Sequence, residues 1–197
     1  MKKILLLDVM ATLVTEPYMV VLPKFFNMSL EELFKRKHPS SWPEFERDEI
    51  TEEQYFKTFF KEEHPELDGE VLKQMMYDHY EIIEGIEELL DELKAAQVPM
   101  YALSNYPRWY LMIEEKLNLS RWLEWKFVSC QTGVRKPDPR SYTGPAQTLG
   151  VSEADCIFVD DREVNCEAAR ATGMTAIQFK SAKQLRADLV ELQVLKQ

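Results

Sequence analysis

Short apolar runs recur along the chain, and longer segments with helical periodicity separate them. There are five such runs, and most are too short for helices yet apolar on both faces, which is typical of strands buried in a parallel sheet. They cover residues 4–7, 100–103, 125–130, 156–159 and 175–179. Apolar positions at helical spacing predict helices over residues 83–95, 109–117, 142–149 and 164–172. This alternation predicts an α/β fold with a Rossmann-like, doubly wound parallel sheet.

Residues 15–81 break the alternation, because they show helical periodicity without a convincing strand. We therefore predict a Rossmann-like core formed by residues 1–14 and 82–197, and an inserted small helical cap formed by residues 15–81. Within the cap, Thr51 and Gln54 match a capping box, in which each side chain hydrogen-bonds the backbone amide of the other residue. This pattern predicts that a helix begins at about Thr51.

Composition narrows the class of protein. The chain has 197 residues, of which 45% are hydrophobic, and this is enough for one sizeable core. Its formal net charge of -10 opposes binding to nucleic acid and to anionic membrane surfaces, so we expect neither partner. No stretch approaches the roughly 20 apolar residues of a membrane-spanning helix. The sequence leaves the oligomeric state open, and an anionic small molecule would need local positive charge to bind.

The three cysteines, Cys130, Cys156 and Cys166, lie in or beside apolar runs and show no C-x-x-C spacing. We expect them to be reduced packing residues of an intracellular protein. Asp8 interrupts the first apolar run before the hydrophobic region of a signal peptide would be complete. We therefore expect a cytoplasmic location, with the plastid stroma as the alternative if a transit peptide precedes this sequence.

Polar side chains follow the first two predicted strands. Asp8 comes directly after the first strand, at the edge where ligands of open α/β sheets bind. Capping of the following turn is an equally common role for such an aspartate. Ser104 and Asn105 follow the second strand and could donate hydrogen bonds to a phosphoryl oxygen, although a helix N-cap is the commoner role in isolation.

A basic pair and an acidic pair complete the set. Arg135 and Lys136 precede Pro137 in an otherwise acidic chain, and Lys136 could neutralise a carboxylate and a bound phosphate. An exposed turn is the alternative. Asp160 and Asp161 end the fourth strand, where adjacent anions repel each other unless a cation such as Mg²⁺ relieves them; a solvated acidic turn is the alternative. All four groups occur in an order compatible with one shared crevice.

These groups resemble the four motifs of the haloacid dehalogenase-like hydrolase superfamily. The matching positions are Asp8, Ser104, Lys136 and the pair Asp160–Asp161. More narrowly, the chain resembles plant and algal flavin mononucleotide (FMN) hydrolases, and it does so at residues 8–10, 37–39, 104–107, 135–139 and 160–162. The insertion after Asp8 corresponds to the helical cap of that superfamily.

The resemblance implies a phosphate monoester hydrolase that works in two steps. Asp8 would attack phosphorus and form an aspartyl-phosphate, which water would then hydrolyse. Mg²⁺ would be the cofactor, and Asp8, the backbone carbonyl of Met10 and Asp161 would hold it. Asp160 would be a further ligand, either directly or through water.

The same resemblance implies how the substrate is bound. Ser104 and Asn105 would hold the phosphoryl oxygens, and Lys136 would offset negative charge between nucleophile and phosphate. The expected partner is a small phosphorylated metabolite, with FMN as the best single candidate and sugar phosphates or other nucleotides as alternatives. In the cap, His38 and Trp42 are the candidates for substrate selection, whereas most apolar cap residues are expected to be core.

One position departs from the superfamily pattern. Phosphatases of this superfamily usually carry a second aspartate two residues after the nucleophile, where this chain has Met10. Loss of general acid–base assistance costs about 10²- to 10⁴-fold in rate, so we expect a slow enzyme. The departure leaves two alternatives open: a metal-independent 2-haloacid dehalogenase, which also lacks the second aspartate, and a non-catalytic binding protein of the same fold.

Overall fold

A five-stranded parallel sheet lies at the centre of the structure, a computed structural model that describes residues 3–196. Its strands are β1 (Ile4–Leu7), β2 (Met100–Ser104), β3 (Glu124–Val128), β4 (Cys156–Asp160) and β5 (Thr175–Gln178). The strand order is β3-β2-β1-β4-β5, so the chain winds outward in both directions from β1. The predicted doubly wound α/β fold is confirmed.

Helices surround this sheet. In the described part of the chain they are α1 (Tyr18–Phe26), α2 (Leu30–Arg36), α3 (Ser41–Glu46), α4 (Glu52–Lys57), α5 (Gly69–His79), α6 (Ile86–Ala95), α7 (Tyr110–Leu117), α8 (Ser129–Thr132), α9 (Arg140–Leu149), α10 (Glu163–Ala171) and α11 (Ala182–Glu191). The first five lie between β1 and β2, and α6 leads into β2. The others follow β2 to β5.

Strand β1 is buried on both faces, because separate layers of side chains cover the two sides of the sheet. Leu5 and Leu7 belong to one hydrophobic cluster, whereas Ile4 and Leu6 belong to a second. Alternate residues of a strand point to opposite faces, so a strand covered on both sides must be apolar at every position. This burial explains the continuous apolar run that predicted the strand.

Several predicted boundaries differ from the structure by one to three residues, and two of these differences have a clear local cause. Helix α6 begins at Ile86 instead of residue 83, because Gly85 has a φ of 77° and serves as the N-cap. The third strand ends at Val128, and its predicted end at residue 130 was wrong because residues 129–132 form the short helix α8. Both differences arise at turns, where periodicity carries little information.

Helices α1 to α5 occupy the predicted cap, and within the described residues this stretch adds no strand to the sheet. Thr51 caps α4 as predicted: its Oγ1 accepts from the Gln54 amide at 3.2 Å, and Gln54 Oε1 accepts from the Thr51 amide at 2.8 Å. Buried cap residues such as Val21 and Tyr55 belong to the same hydrophobic cluster as Leu7 of β1. The division into core and cap stays a prediction.

Polar contacts hold the end of α3 beside the loops that follow β2 and β3. Ser129 Oγ donates to the backbone carbonyl of Glu46 at 2.6 Å. The Arg108 guanidinium donates to both carboxylate oxygens of Asp48, at 2.9 and 2.7 Å. The end of α3 therefore lies at the carboxyl edge of the sheet, where the candidate residues were predicted.

Two further predictions concern the chain as a whole. Cys130, Cys156 and Cys166 are buried free cysteines, as their positions in apolar runs indicated. Across residues 3–196, every helix is too short or too polar to span a membrane.

Candidate active site

Asp8 lies at the carboxyl end of the central strand, where its backbone continues the sheet. Its amide donates to the Val159 carbonyl at 2.8 Å, and its side chain is buried. The chain then turns tightly: the amides of Leu13 and Val14 both donate to the Val9 carbonyl at 2.9 Å. This turn holds the Asp8 carboxylate at the edge of the sheet and carries the chain away from it.

Lys136 links the two central strands through their carboxylates. Its Nζ lies 2.8 Å from Asp8 Oδ1 and 2.6 Å from Asp160 Oδ2. Burial works against the charge of this ammonium, but the two carboxylates outweigh it and raise the pKa of Lys136 above its usual value. Lys136 therefore stays protonated between them, and its predicted role toward a bound phosphate stays a prediction.

Three carboxylates converge at this point. Ligand oxygens of Asp8, Asp160 and Asp161 all lie within 4.8 Å of one another. Burial raises the pKa of Asp8, Lys136 lowers it, and the charges of Asp160 and Asp161 raise it further. Burial and the charge of Asp160 also raise the pKa of Asp161. A second cation beside Lys136 would relieve this repulsion, and a set of oxygen ligands fits Mg²⁺.

Asp160 is the most heavily hydrogen-bonded of the three. Its Oδ1 accepts from the Arg162 amide at 2.8 Å and from Asn165 Nδ2 at 2.9 Å, while its Oδ2 accepts from Lys136 at 2.6 Å. Its side chain is fully buried. Asp160 thus holds Lys136 in place, and its predicted contact with a metal stays a prediction.

Ser104 and Asn105 have different surroundings, although they are adjacent. The Ser104 hydroxyl is buried and has no hydrogen-bond partner among the described residues. Asn105 makes a reciprocal pair with the backbone of Lys136, donating to its carbonyl at 2.9 Å and accepting from its amide at 2.8 Å. Neither caps a helix, since Trp109 is the N-cap of α7. Ser104 is therefore free to donate to a ligand, whereas the Asn105 side chain positions the Lys136 loop.

A cavity of about 530 Å³ opens beside these groups, between the sheet edge and the cap. Asp8, Met10, Lys136 and Asp161 form one part of its wall, and Trp42 of the cap is among the other lining residues. Its size is typical of small-molecule sites. Ser104 lines a neighbouring cavity of about 370 Å³, which shares Asn105 and Lys136 with the first.

His38 lies outside the residues that line either cavity. Its Nδ1 is 3.3 Å from Ser40 Oγ, and its amide donates to the Phe59 carbonyl at 2.8 Å. These contacts stabilise the turn between α2 and α3. His38 therefore lies away from the cavities, whereas Trp42 lines the larger one, and the role of either residue in substrate selection stays a prediction.

Sequence reasoning missed several residues of the cavity wall. Lys37, Glu46, Arg135 and Glu16 all line it. Lys37 and Arg135 belong to segments that were noted for their resemblance to FMN hydrolases, which was the available signal. No local pattern distinguishes Glu46 from the other acidic residues of the cap.

Comparison with known proteins identifies the family of this chain. The sequence model of haloacid dehalogenase-like hydrolases matches residues 17–173. The chain belongs to this hydrolase family. A chloroplast flavin mononucleotide hydrolase of Arabidopsis thaliana is 43% identical over 189 residues, which cover 96% of this chain and 77% of that relative. The resemblance inferred from the motifs is thus confirmed.

Solved structures of haloacid dehalogenase-like proteins share the fold. A family enzyme of Bacteroides thetaiotaomicron, in complex with magnesium and inorganic phosphate, matches with a TM-score of 0.71 at 20% identity, over 92% of this chain and 96% of that chain. A structure described as a dehalogenase matches with a TM-score of 0.63 at 19% identity, over 90% of this chain and 84% of that chain. The fold therefore does not distinguish a phosphatase from a dehalogenase. That distinction depends on the site residues.

Proposed function

We propose that this hydrolase cleaves phosphate monoesters with Mg²⁺, using Asp8 as a covalent nucleophile. The observation that carries the proposal is the cluster of Asp8, Asp160 and Asp161 around Lys136 at the sheet edge, open to a cavity of small-molecule size. Phosphoryl transfer to an aspartate requires three components. They are a buried carboxylate as nucleophile, acidic groups that can bind a divalent cation, and a cationic side chain.

In the first step, an oxygen of the Asp8 carboxylate forms a bond to phosphorus while the bond to the leaving alcohol breaks. The alcohol oxygen takes up a proton as it departs. In the second step, water attacks the phosphorus of the aspartyl-phosphate, the bond to Asp8 breaks, and inorganic phosphate leaves. Lys136, 2.8 Å from Asp8, offsets the charge that builds up between the two anions.

The Asp8 and Asp161 carboxylates, with the backbone carbonyl of Met10, would hold Mg²⁺. The bound ion supplies charge neutralisation and orients the phosphate for in-line attack. Asp160 would act on the site mainly through Lys136, since both of its oxygens already accept hydrogen bonds from the protein. The pKa values of Asp8 and Asp161 are both raised. Raised carboxylate pKa values are expected at a cation site when the cation is not bound, because the neighbouring negative charges then repel each other.

Ser104 would bind a phosphoryl oxygen, and its unpartnered hydroxyl supports this role because a buried donor without a partner is costly. Asn105 would contribute by holding Lys136, whose backbone it binds twice. Met10 would leave the leaving group without an aspartate as proton donor. We therefore propose a slow enzyme, in which a water molecule supplies the proton that the departing alcohol takes up.

FMN is the substrate we propose first, because the Arabidopsis relative is an FMN hydrolase and is 43% identical to this chain over 189 residues. The cavity wall includes Tyr18, Trp42 and Tyr106, whose rings could lie against a flat ring system. That relative is a chloroplast protein, so the plastid stroma is proposed beside the cytoplasm as the location. A fluorescent fusion of the natural protein distinguishes the two.

The site argues against both alternative functions. A metal-independent dehalogenase would need no second and third carboxylate beside its nucleophile, where without a cation they repel it. Met10 alone favours that alternative. A non-catalytic binding protein would have no need for a lysine placed 2.8 Å from the nucleophile.

Trapping the intermediate tests the proposal. The protein is mixed with FMN and Mg²⁺, quenched with acid and digested, and the peptide that contains Asp8 is examined by mass spectrometry. We expect a phosphoryl group on Asp8 that disappears when hydroxylamine is added. A phosphoryl group on another residue, or hydrolysis that proceeds with none on any peptide, contradicts the assignment of Asp8.

A further inference from the structure

A second charged cluster lines the same cavity on its cap side. Glu46 of α3 is buried and accepts a hydrogen bond from Arg135 Nε. Burial raises the pKa of Glu46 to about 7, and the Arg135 guanidinium opposes that rise. Lys37, at the end of α2, also lies in this wall, and Glu46 and Arg135 are its principal charged neighbours.

Aromatic rings surround the Lys37 ammonium. Its Nζ lies 4.7 Å from the ring centroid of Tyr18, 5.7 Å from that of Trp42 and 5.9 Å from that of Phe59. Within the described residues no carboxylate comes within ion-pair distance of it. Burial lowers the pKa of Lys37 to about 8. Ring faces stabilise a cation but take up none of its three N–H donors in ordinary hydrogen bonds, so Lys37 retains donors for a ligand.

The two charged clusters are distinct, although adjacent residues belong to each. Arg135 binds Glu46, whereas Lys136 binds Asp8 and Asp160. The cavity therefore has one charged end built around the nucleophile and another built around Lys37. A phosphate ester that reacts at Asp8 places its phosphate at the first end, which leaves the second for its leaving group.

Two exposed apolar side chains line the same cavity as this second cluster. Met19 of α1 and Phe34 of α2 line the cavity and remain 49% and 46% exposed. Exposed apolar surface beside a polar interior fits a ligand with a flat apolar body and a polar edge. A sugar phosphate, which is polar over its whole surface, would leave Met19 and Phe34 without a partner.

We propose that Lys37, held by Tyr18 and Trp42 and flanked by the Glu46–Arg135 pair, is the specificity-determining residue for the leaving group. The leaving group is an alcohol that carries a planar heteroaromatic ring with a carbonyl acceptor on its outer edge, to which Lys37 donates a hydrogen bond. The isoalloxazine of FMN belongs to this class. This inference rests on the proposed phosphatase function, and it names the chemistry that selects the substrate.

The test compares Lys37→Met with Lys35→Met, an exposed lysine of the same helix that serves as the matched control. Phosphate release with Mg²⁺ is measured from FMN and from phenyl phosphate, a flat ester without a carbonyl acceptor. For Lys37→Met we expect the KM for FMN to rise about 10- to 100-fold, the value of a hydrogen bond to a charged group, with kcat within about twofold. The kcat/KM for phenyl phosphate should stay within about twofold for both variants.

A binding measurement keeps this inference separate from the phosphatase proposal. Quenching of FMN fluorescence is titrated with each protein in the presence of a chelator, so that no turnover is needed. Weaker binding of FMN to Lys37→Met than to Lys35→Met supports the subsite, even if neither ester is hydrolysed. A lack of hydrolysis would overturn only the phosphatase proposal. Equal losses on FMN and phenyl phosphate, or unchanged FMN binding, overturn the subsite. Thermal unfolding of each variant excludes misfolding as the cause.

Discussion

Met10 is the residue on which the expected rate depends. It lines the cavity two positions after Asp8. We predict that Met10→Asp raises kcat. The increase should be at most about 10²- to 10⁴-fold, which is the gain that general acid–base catalysis supplies. Met10→Leu is the control, because it keeps an apolar side chain. Steady-state phosphate release measures both, and equal rates for the two variants would mean that proton transfer does not limit turnover.

Asp161 is the carboxylate with most freedom to bind a metal. It is half-buried in the cavity wall, whereas Asp160 is fully buried and already bonded to Lys136 and Asn165. We predict that Asp161→Asn weakens Mg²⁺ activation at least about tenfold, and that Glu167→Gln, a change at an exposed site on α10, leaves it unchanged. Titration of activity against Mg²⁺ measures this. Coincident curves for Asp161→Asn and wild type would remove Asp161 from the metal site.

The sequence predicted the residues at strand ends because parallel strands bring their carboxyl ends to one edge. Asp8, Ser104 and Asp160 needed only that rule. The pairing of Asn105 with the Lys136 backbone joins residues 31 positions apart, and no periodicity encodes it. Glu46 was missed for the same reason: its partner Arg135 is 89 positions away in the chain.

At the scale of elements, the end of β2 combines a functional and a structural position. We predict that Ser104→Ala changes the free energy of unfolding by less than about 0.5 kcal/mol, because its hydroxyl has no hydrogen bond to lose, while phosphate binding weakens. Asn105→Ala should cost about 1 to 3 kcal/mol, the sum of two hydrogen bonds to Lys136. Urea unfolding measures both. Equal destabilisation by the two substitutions would contradict the structural assignment.

Element types were easier to predict than their ends. Strands β1 and β4 were predicted correctly because both sheet faces are covered there, so that every position is buried. The edge strand β3 is apolar only in part, since Glu124 and Lys126 are exposed. The capping box at Thr51 located the start of α4, since its chemistry is local. The start of α6 depends on the backbone conformation of Gly85, and α8 begins where β3 leaves the sheet, so both needed the tertiary structure.

At the scale of the whole molecule, the cap and the sheet share one hydrophobic cluster. We therefore predict that they unfold together, in a single transition. Unfolding curves in urea, followed by tryptophan fluorescence and by far-ultraviolet circular dichroism, should coincide. Two separated transitions would show that residues 15–81 form an independently stable unit.

The central claim is that Asp8 and a divalent cation together hydrolyse a phosphate ester. The measurement that tests it most directly is phosphate release from a panel of phosphomonoesters that includes FMN, with Mg²⁺ and with chelator, for wild type and Asp8→Asn. We predict release that requires both Mg²⁺ and Asp8, with Asp8→Asn folded as judged by circular dichroism. Release that persists in Asp8→Asn or in chelator, or no release from any ester, would contradict the account.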